Sequence, residues 1–241
     1  MEKEWQLSEA IDTSSSILWI RQNSRVSNLS VQPLSPLDGR YRAAVADLGE
    51  YLSEAGLNRA RIQVEIEWLI QLANRSLLGT DRPVLDSEAA ELRKIVADFS
   101  DSDVRELGET EAVTKHDVKA VEYFIRARLE KLERGDLLEL THFGCTSEDI
   151  NNLSYAITVR DAIQNVWLPK AHALVAKLSE LSDKYIDAAM LARTHGQPAT
   201  PTTMGKELAV FVHRLNRQLE RVAKTEYLGK FSGATGTFSA H

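Results

Sequence analysis

The sequence predicts a mainly α-helical protein whose longest helices form a bundle. Three observations point there. Apolar residues recur at steps of three and four through most of the chain, the period of one helical face. Capping signals of the Ser/Thr-x-x-Asp type precede those stripes. One stretch, 147–185, sustains a helical pattern longer than ordinary globular helices, and such length suits a bundle.

Residues 1–30, rich in Ser and Asn, show no sustained period and are expected to be an extension without order. Order is expected from PLSPLDGRY (33–41), where two prolines and an Asp-Gly pair dictate turns before a helix starting near Tyr41. Ile62 to Trp68 alternate apolar and polar, the pattern of a strand. The wider window decides otherwise: Ile62, Ile66, Leu69 and Ala73 keep helical spacing, and 58–78 contains neither Gly nor Pro. A long helix is predicted there. A second amphipathic helix is predicted over 87–99, followed by a polar connection.

At TKHD (114–117), Thr114 and Asp117 are spaced for a capping box, which places His116 in the first turn of a helix carrying Val118, Val121, Ile125 and Leu129. Gly135 is expected to close it. Thr146 and Asp149 repeat the arrangement before Ile150, Leu153 and Ile157, and Pro169 should bend the resulting helix on its way to Tyr185. The segment RTHGQPATPTTMGKE (193–207) is expected to be a loop feeding a helix, with Thr200 as cap and Pro201 in the first turn. Leu208, Val212, Leu215, Leu219 and Val222 supply that helix with its apolar stripe. Residues 229–241, with three glycines, are expected to form a loop.

Composition narrows the chemistry. The chain has 241 residues, 43% hydrophobic and 27% charged, with a formal net charge of −6. The charge argues against general nucleic-acid binding, which draws on Lys and Arg at phosphates. Cys145 is the single cysteine, so no internal disulfide is possible and a reducing, cytoplasmic location fits. The acidic MEKEW start and the short apolar run at 17–20 suit neither a signal peptide nor a membrane span. Six scattered histidines and one cysteine offer no metal constellation, and no glycine-rich nucleotide loop occurs. No metal and no cofactor are therefore expected.

Three polar clusters share one design: hydroxyls and a histidine at or beside a helix start, around His116, Thr146–Ser147 and His195–Pro201. Each could be ordinary capping. If they converge, they make a pocket for an anionic substrate held by helix N-termini, with Arg40, Arg193 and Lys206 adding charge and a histidine carrying the proton.

The motifs SPLDGRY (35–41), TKHDVKAVEYF (114–124), HFGCTSEDINNLS (142–154) and RTHGQPATPTTMGKE closely resemble the adenylosuccinate lyases of the fumarase/aspartase superfamily. The resemblance runs from about Val31 to the last residue. The THGQPA piece recurs across the superfamily; the other three are far more specific.

The resemblance implies a fumarase/aspartase-like helical fold, with an N-terminal helical domain over 31–136 and the first part of a long-helix bundle over 137–241. It implies a homotetramer with active sites assembled from several subunits. The implied reaction is elimination of fumarate from adenylosuccinate or from the succinylated carboxamide ribotide (SAICAR) of purine synthesis. By motif, His195 matches the general acid and His142 a further active-site histidine of some relatives. Arg40, Tyr41, Lys115, His116, Asp117, Thr146 and Ser147 match substrate-binding positions. The family's serine base sits in a loop with a Met-Pro pair, which these residues lack; the expectation is a truncated chain with the acid and part of the pocket. Sibling lyases acting on argininosuccinate or a carboxymuconate, and a non-catalytic scaffold, are the alternatives.

Overall fold

The computed structural model describes residues 33–76 and 82–239, so the expected extension over 1–30 lies outside it. The chain divides into two compact units between Val45 and Ala46. In the first, the Asp38 carboxylate accepts from the backbone N–H of Leu34 and Ser35 and from the Ser35 hydroxyl, fixing the expected turns. The helix expected near Tyr41 is there only a single 3-10 turn, Arg42–Ala44.

Among the described residues of the second unit, the regular elements are helices and one hairpin. A short helix α1 (Ala46–Leu52) precedes α2 (Glu54–Asn74), whose N-terminus is capped by Ser53 accepting from the Gly56 N–H. The alternation at 62–68 therefore sits on a helix. α2 is covered on more than one side: Ile62, Ile66 and Leu69 enter the core, and Asn58, Arg61 and Glu65 are buried as well. A helix buried almost all round loses the clean stripe that periodicity relies on.

Next come α3 (Asp86–Ala97) and α4 (Asp101–Thr114). The second corrects the expected polar connection. Only Leu107 of α4 is buried, so there is little apolar signal to read. The helix stands on polar interactions instead. Ser100 and Asp103 form a capping box, and Arg128 grips Asp103 and Glu106 at 2.8 and 2.7 Å while stacking on Phe124.

α5 (Asp117–Lys131) begins two residues later than the capping-box reading placed it. Thr114 ends α4, Lys115 takes a left-handed conformation at φ 57°, and His116 itself is the N-cap, its Nδ1 accepting from the Lys119 N–H at 3.2 Å. Nor does Gly135 close the helix: the chain reverses at Glu133 (φ 57°), and Gly135 opens a 3-10 turn, Gly135–Leu140. The core is built where α2, α3, α4, α5 and this turn meet, around Ile66, Leu92, Leu107, Ile125, Leu129 and Leu137.

α6 (Ser147–Ala162) starts on the expected Thr146/Asp149 capping box and packs along α2. It continues into α7 (Leu168–Lys184) through a π turn, Ile163–Trp167. The distortion expected at Pro169 thus falls just ahead of it. Proline has no N–H and its ring presses on the carbonyl four residues back, and the wider π turn relieves both.

The 193–207 segment is not a loop. β1 (Ala189–Thr194) and β2 (Gln197–Thr203) pair antiparallel, with Thr194 opposite Gln197 and Pro201 opposite Leu191. The two linking residues, His195 (φ 48°) and Gly196 (φ 75°), have the doubly left-handed backbone of a type I′ turn. Helix α8 (Met204–Ala223) is capped by Thr203, not Thr200.

A Cβ on Gly205 would lie 2.7 Å from the Ile186 Cα, so only glycine lets α8 begin against the end of α7. Further along α8, Leu219 packs with Leu168 and Val175, so the two helices run antiparallel. Residues 224–239 contain no helix or strand, which agrees with the loop expected from 229 as far as the described residues go.

The central cluster sets a stability expectation. Ile66→Ala should destabilise by about 2–5 kcal/mol, whereas Val113→Ala, 83% exposed on α4, should change stability by less than about 0.5 kcal/mol. Urea unfolding of the two variants checks the contrast.

Candidate functional site

Four side chains of α2, at positions 58, 61, 65 and 68, follow one another at steps of three, four and three and so line one helical face. Three are buried polar groups, Asn58, Arg61 and Glu65. A buried charge must find partners, and these find them on the segments singled out by motif.

Arg61 donates to Asn58 (2.9 Å), to Asn151 on α6 (2.9 Å) and to Asp117 at the start of α5 (2.5 Å). Glu65 accepts from the backbone N–H of His142 (3.2 Å) and bonds the His142 Nδ1 at 2.5 Å. The Trp68 indole donates to the Phe143 carbonyl (2.8 Å). One helix therefore fixes the start of α5, the body of α6 and the 142–145 turn that leads into α6.

Two of the three expected clusters meet as a result. The His116 Nε2 lies 3.4 Å from the Ser147 Oγ, joining the starts of α5 and α6. Both helices begin beside this junction, and the free N–H groups and positive dipole end of a helix start favour an anion. Lys115 precedes it in its left-handed conformation, and Thr146 caps α6.

The electrostatics follow from the partners. Burial would raise the Asp117 carboxyl, but the Val118 N–H and Arg61 outweigh it and hold the group below its ordinary range. Burial likewise opposes charge on His142, and the Glu65 carboxylate more than compensates, so the imidazole is shifted up. Burial also pushes the Cys145 thiol up, leaving it a protonated side chain instead of a nucleophile.

His195 stands apart. It is exposed at the hairpin tip, and the hairpin packs on α8 rather than on α2, α5 or α6. Among the described residues its ring has no hydrogen bond or ion pair. Arg193 is exposed on β1, and Lys206 is engaged with Glu207 at 3.0 Å. Arg40 and Tyr41 belong to the first unit, where the guanidinium lies 5.5 Å from the Tyr41 ring centre.

The sequence reading missed Arg61 and Glu65, and it missed the order of the 229–233 segment. Asp149 is fully buried and accepts from the N–H of Thr146, Ser232 and Gly233 and from the Lys230 Nζ. Asn152 adds bonds to the backbone of Lys230. The glycine-rich segment is thus stapled to the first turn of α6. A signal was available: Asp149 is both a capping-box acid and next to Ile150, a core position, so its second oxygen had to be satisfied by another part of the chain.

Burial raises the Asp149 carboxyl, and the Thr146 and Ser232 N–H groups with Lys230 lower it by more. Its folded pKa lies below the unfolded one, so its stabilisation is present above about pH 3.9 and lost as pH falls through the folded value. Asp149→Asn should flatten the fall of melting temperature below about pH 4 and speed tryptic cleavage after Lys230. Unchanged cleavage would show that the staple does not hold the segment.

Residues 39–241 match a protein family described as lyase. The chain is 44% identical over 209 residues to an adenylosuccinate lyase of Haemophilus influenzae, covering 86% of this chain and 46% of that one. It is 42% identical over 214 residues to the adenylosuccinate lyase of Escherichia coli, covering 88% and 47%. The chain thus spans about half the length of the curated relatives it matches. Among solved structures, a fumarate lyase from Mesorhizobium sp. BNC1 shares the fold with a TM-score of 0.62 at 21% identity, over 81% of this chain and 44% of that one. A 3-carboxy-cis,cis-muconate lactonizing enzyme from Pseudomonas putida does so with a TM-score of 0.60 at 24% identity, over 81% and 43%. With its helical fold and the match over residues 39–241, the chain belongs to the lyase family of the fumarase/aspartase superfamily.

Proposed function

We propose that these residues form the acid-bearing and substrate-holding part of an adenylosuccinate lyase. The observation that carries this reading is identity of 40–44% to adenylosuccinate lyases from H. influenzae, E. coli and Dictyostelium discoideum, along 86–91% of the chain. The junction of α5 and α6 supports it chemically. Adenylosuccinate carries two carboxylates and a phosphate, and a pair of helix starts with His116, Thr146 and Ser147 supplies donors for such groups with little formal charge.

In the elimination, a base takes a proton from the succinyl carbon next to a carboxylate. The electron pair forms the carbon–carbon double bond, the carbon–nitrogen bond breaks, and an acid protonates the departing nitrogen. Fumarate and AMP result; the carboxamide ribotide is the parallel product from SAICAR. His195 takes the part of the acid. The base of this family is a serine on a loop that no segment of these residues matches.

A tetramer in which the hairpin of one copy serves the pocket of another fits the separation of His195 from the His116–Ser147 junction. The exposed apolar side chains of α7 and α8, among them Leu174 and Phe211, fit helices that bundle with further copies. Small polar metabolites as substrates fit a cytoplasmic enzyme. Among the described residues no helix is long and apolar enough to cross a membrane.

The test joins this chain to the part of the E. coli adenylosuccinate lyase beyond the matched region and follows adenylosuccinate by its ultraviolet spectrum. The chimera should turn over adenylosuccinate, and His195→Gln should lower kcat by about 10²–10⁴. A folded chimera that ignores adenylosuccinate but cleaves argininosuccinate or a carboxymuconate would overturn the substrate assignment. A folded chimera that cleaves none of them would favour the scaffold reading.

A further inference from the structure

Glu65 is the least explicable residue of the core if packing is its only role. It is 1% exposed, on the middle of α2, among Ile62, Ile66 and Leu69. An isolated carboxylate there would be heavily penalised. Both its oxygens are spent on one residue: Oε2 accepts from the His142 backbone N–H and Oε1 bonds the His142 Nδ1. His142 in turn has a left-handed backbone at φ 61°, an unusual conformation for a residue with a Cβ. Its side chain keeps 20% exposure while Glu65 has none, so the ring runs from the buried carboxylate to the surface.

We propose that Glu65 is a positioning residue that clamps His142 at backbone and ring, holding it as a charged imidazolium whose Nε2–H binds a substrate carboxylate beside the Thr146–Ser147 start of α6. The clamp fixes three things at once. It sets the tautomer, because the carboxylate requires a proton on Nδ1. It sets the ring's direction, because backbone and ring are held by the same group. It also supplies the countercharge that lets a cation persist at a site with few Lys or Arg side chains. Other charged groups acting on the ring come from α5: Glu122 favours its charge and Lys119 opposes it, and these two pair with each other at 2.7 Å. Glu65 therefore dominates.

The proposal rests on the lyase reading for its ligand but not for its geometry, and the experiment separates the two. Histidine-labelled chain is titrated by nitrogen-15 and carbon-13 NMR, with His142→Asn to assign the resonance. In the wild-type chain His142 should carry a proton on Nδ1 and titrate above the ordinary histidine value of about 6.5. Glu65→Gln should move the midpoint down. A neutral Nε2–H tautomer, a wild-type midpoint at or below the ordinary value, or an unmoved midpoint in Glu65→Gln would each overturn the clamp. If Glu65→Gln does not fold, the wild-type tautomer and midpoint still decide.

In the chimera, Glu65→Gln should raise KM for adenylosuccinate about tenfold with a smaller change in kcat. An unchanged KM would overturn the carboxylate contact. If the NMR results hold while the chimera ignores adenylosuccinate, the clamp stands and the substrate reading falls.

Discussion

Two opposite charges, Arg61 and Glu65, are buried one turn apart on α2, and each must be satisfied by a different part of the chain. This need shapes the surroundings more than the apolar contacts do. Hydrophobic burial is non-directional and would accept several orientations of α5 and α6 against α2. The guanidinium and the carboxylate accept few. Arg61 fixes where α5 begins through Asp117 and where α6 runs through Asn151, and Glu65 fixes the turn between them through His142. The His116–Ser147 junction is the consequence.

A second carboxylate, Asp149, extends the same logic to the far end of the chain. It closes the first turn of α6 and gathers the backbone of Ser232 and Gly233. The two carboxylates approach the start of α6 from different sides, Glu65 through the turn before it and Asp149 through its first turn. The anion-favouring helix end is thus held in place by groups that themselves carry negative charge but are already fully hydrogen-bonded. Glu65 is bonded by His142 and Asp149 is paired with Lys230, which leaves the free N–H groups of the helix start as the groups available to a ligand.

Much of this was legible before the structure. Helices with one apolar stripe, such as α5 and α8, were found by period, and the Thr146/Asp149 cap was found by spacing. What stayed hidden has physical reasons. α4 has one buried residue, so its helix is written in caps and ion pairs rather than in apolar spacing. The hairpin contains two prolines and a histidine at positive φ, residues that argue for a loop; its strands are short and mostly exposed, with no alternation to read. The capping-box reading places His116 two positions too deep because Thr114 and His116 are both competent caps, and only the geometry of Lys115 decides between them. Arg61 and Glu65 look like surface charges on a helix; that they face inward depends on partners 56 and 77 residues away.

The central claim is the proposal that the α2 ridge builds an anion site where α5 and α6 begin, completed by His195 from another copy. The most direct measurement is a structure of the assembled protein with adenylosuccinate bound. The account predicts a succinyl carboxylate or the phosphate against His116, Ser147 and the first N–H groups of α6, with His142 within hydrogen-bond distance and the His195 ring of another copy beside the departing nitrogen. A ligand bound elsewhere, with the α5–α6 junction untouched, would contradict it.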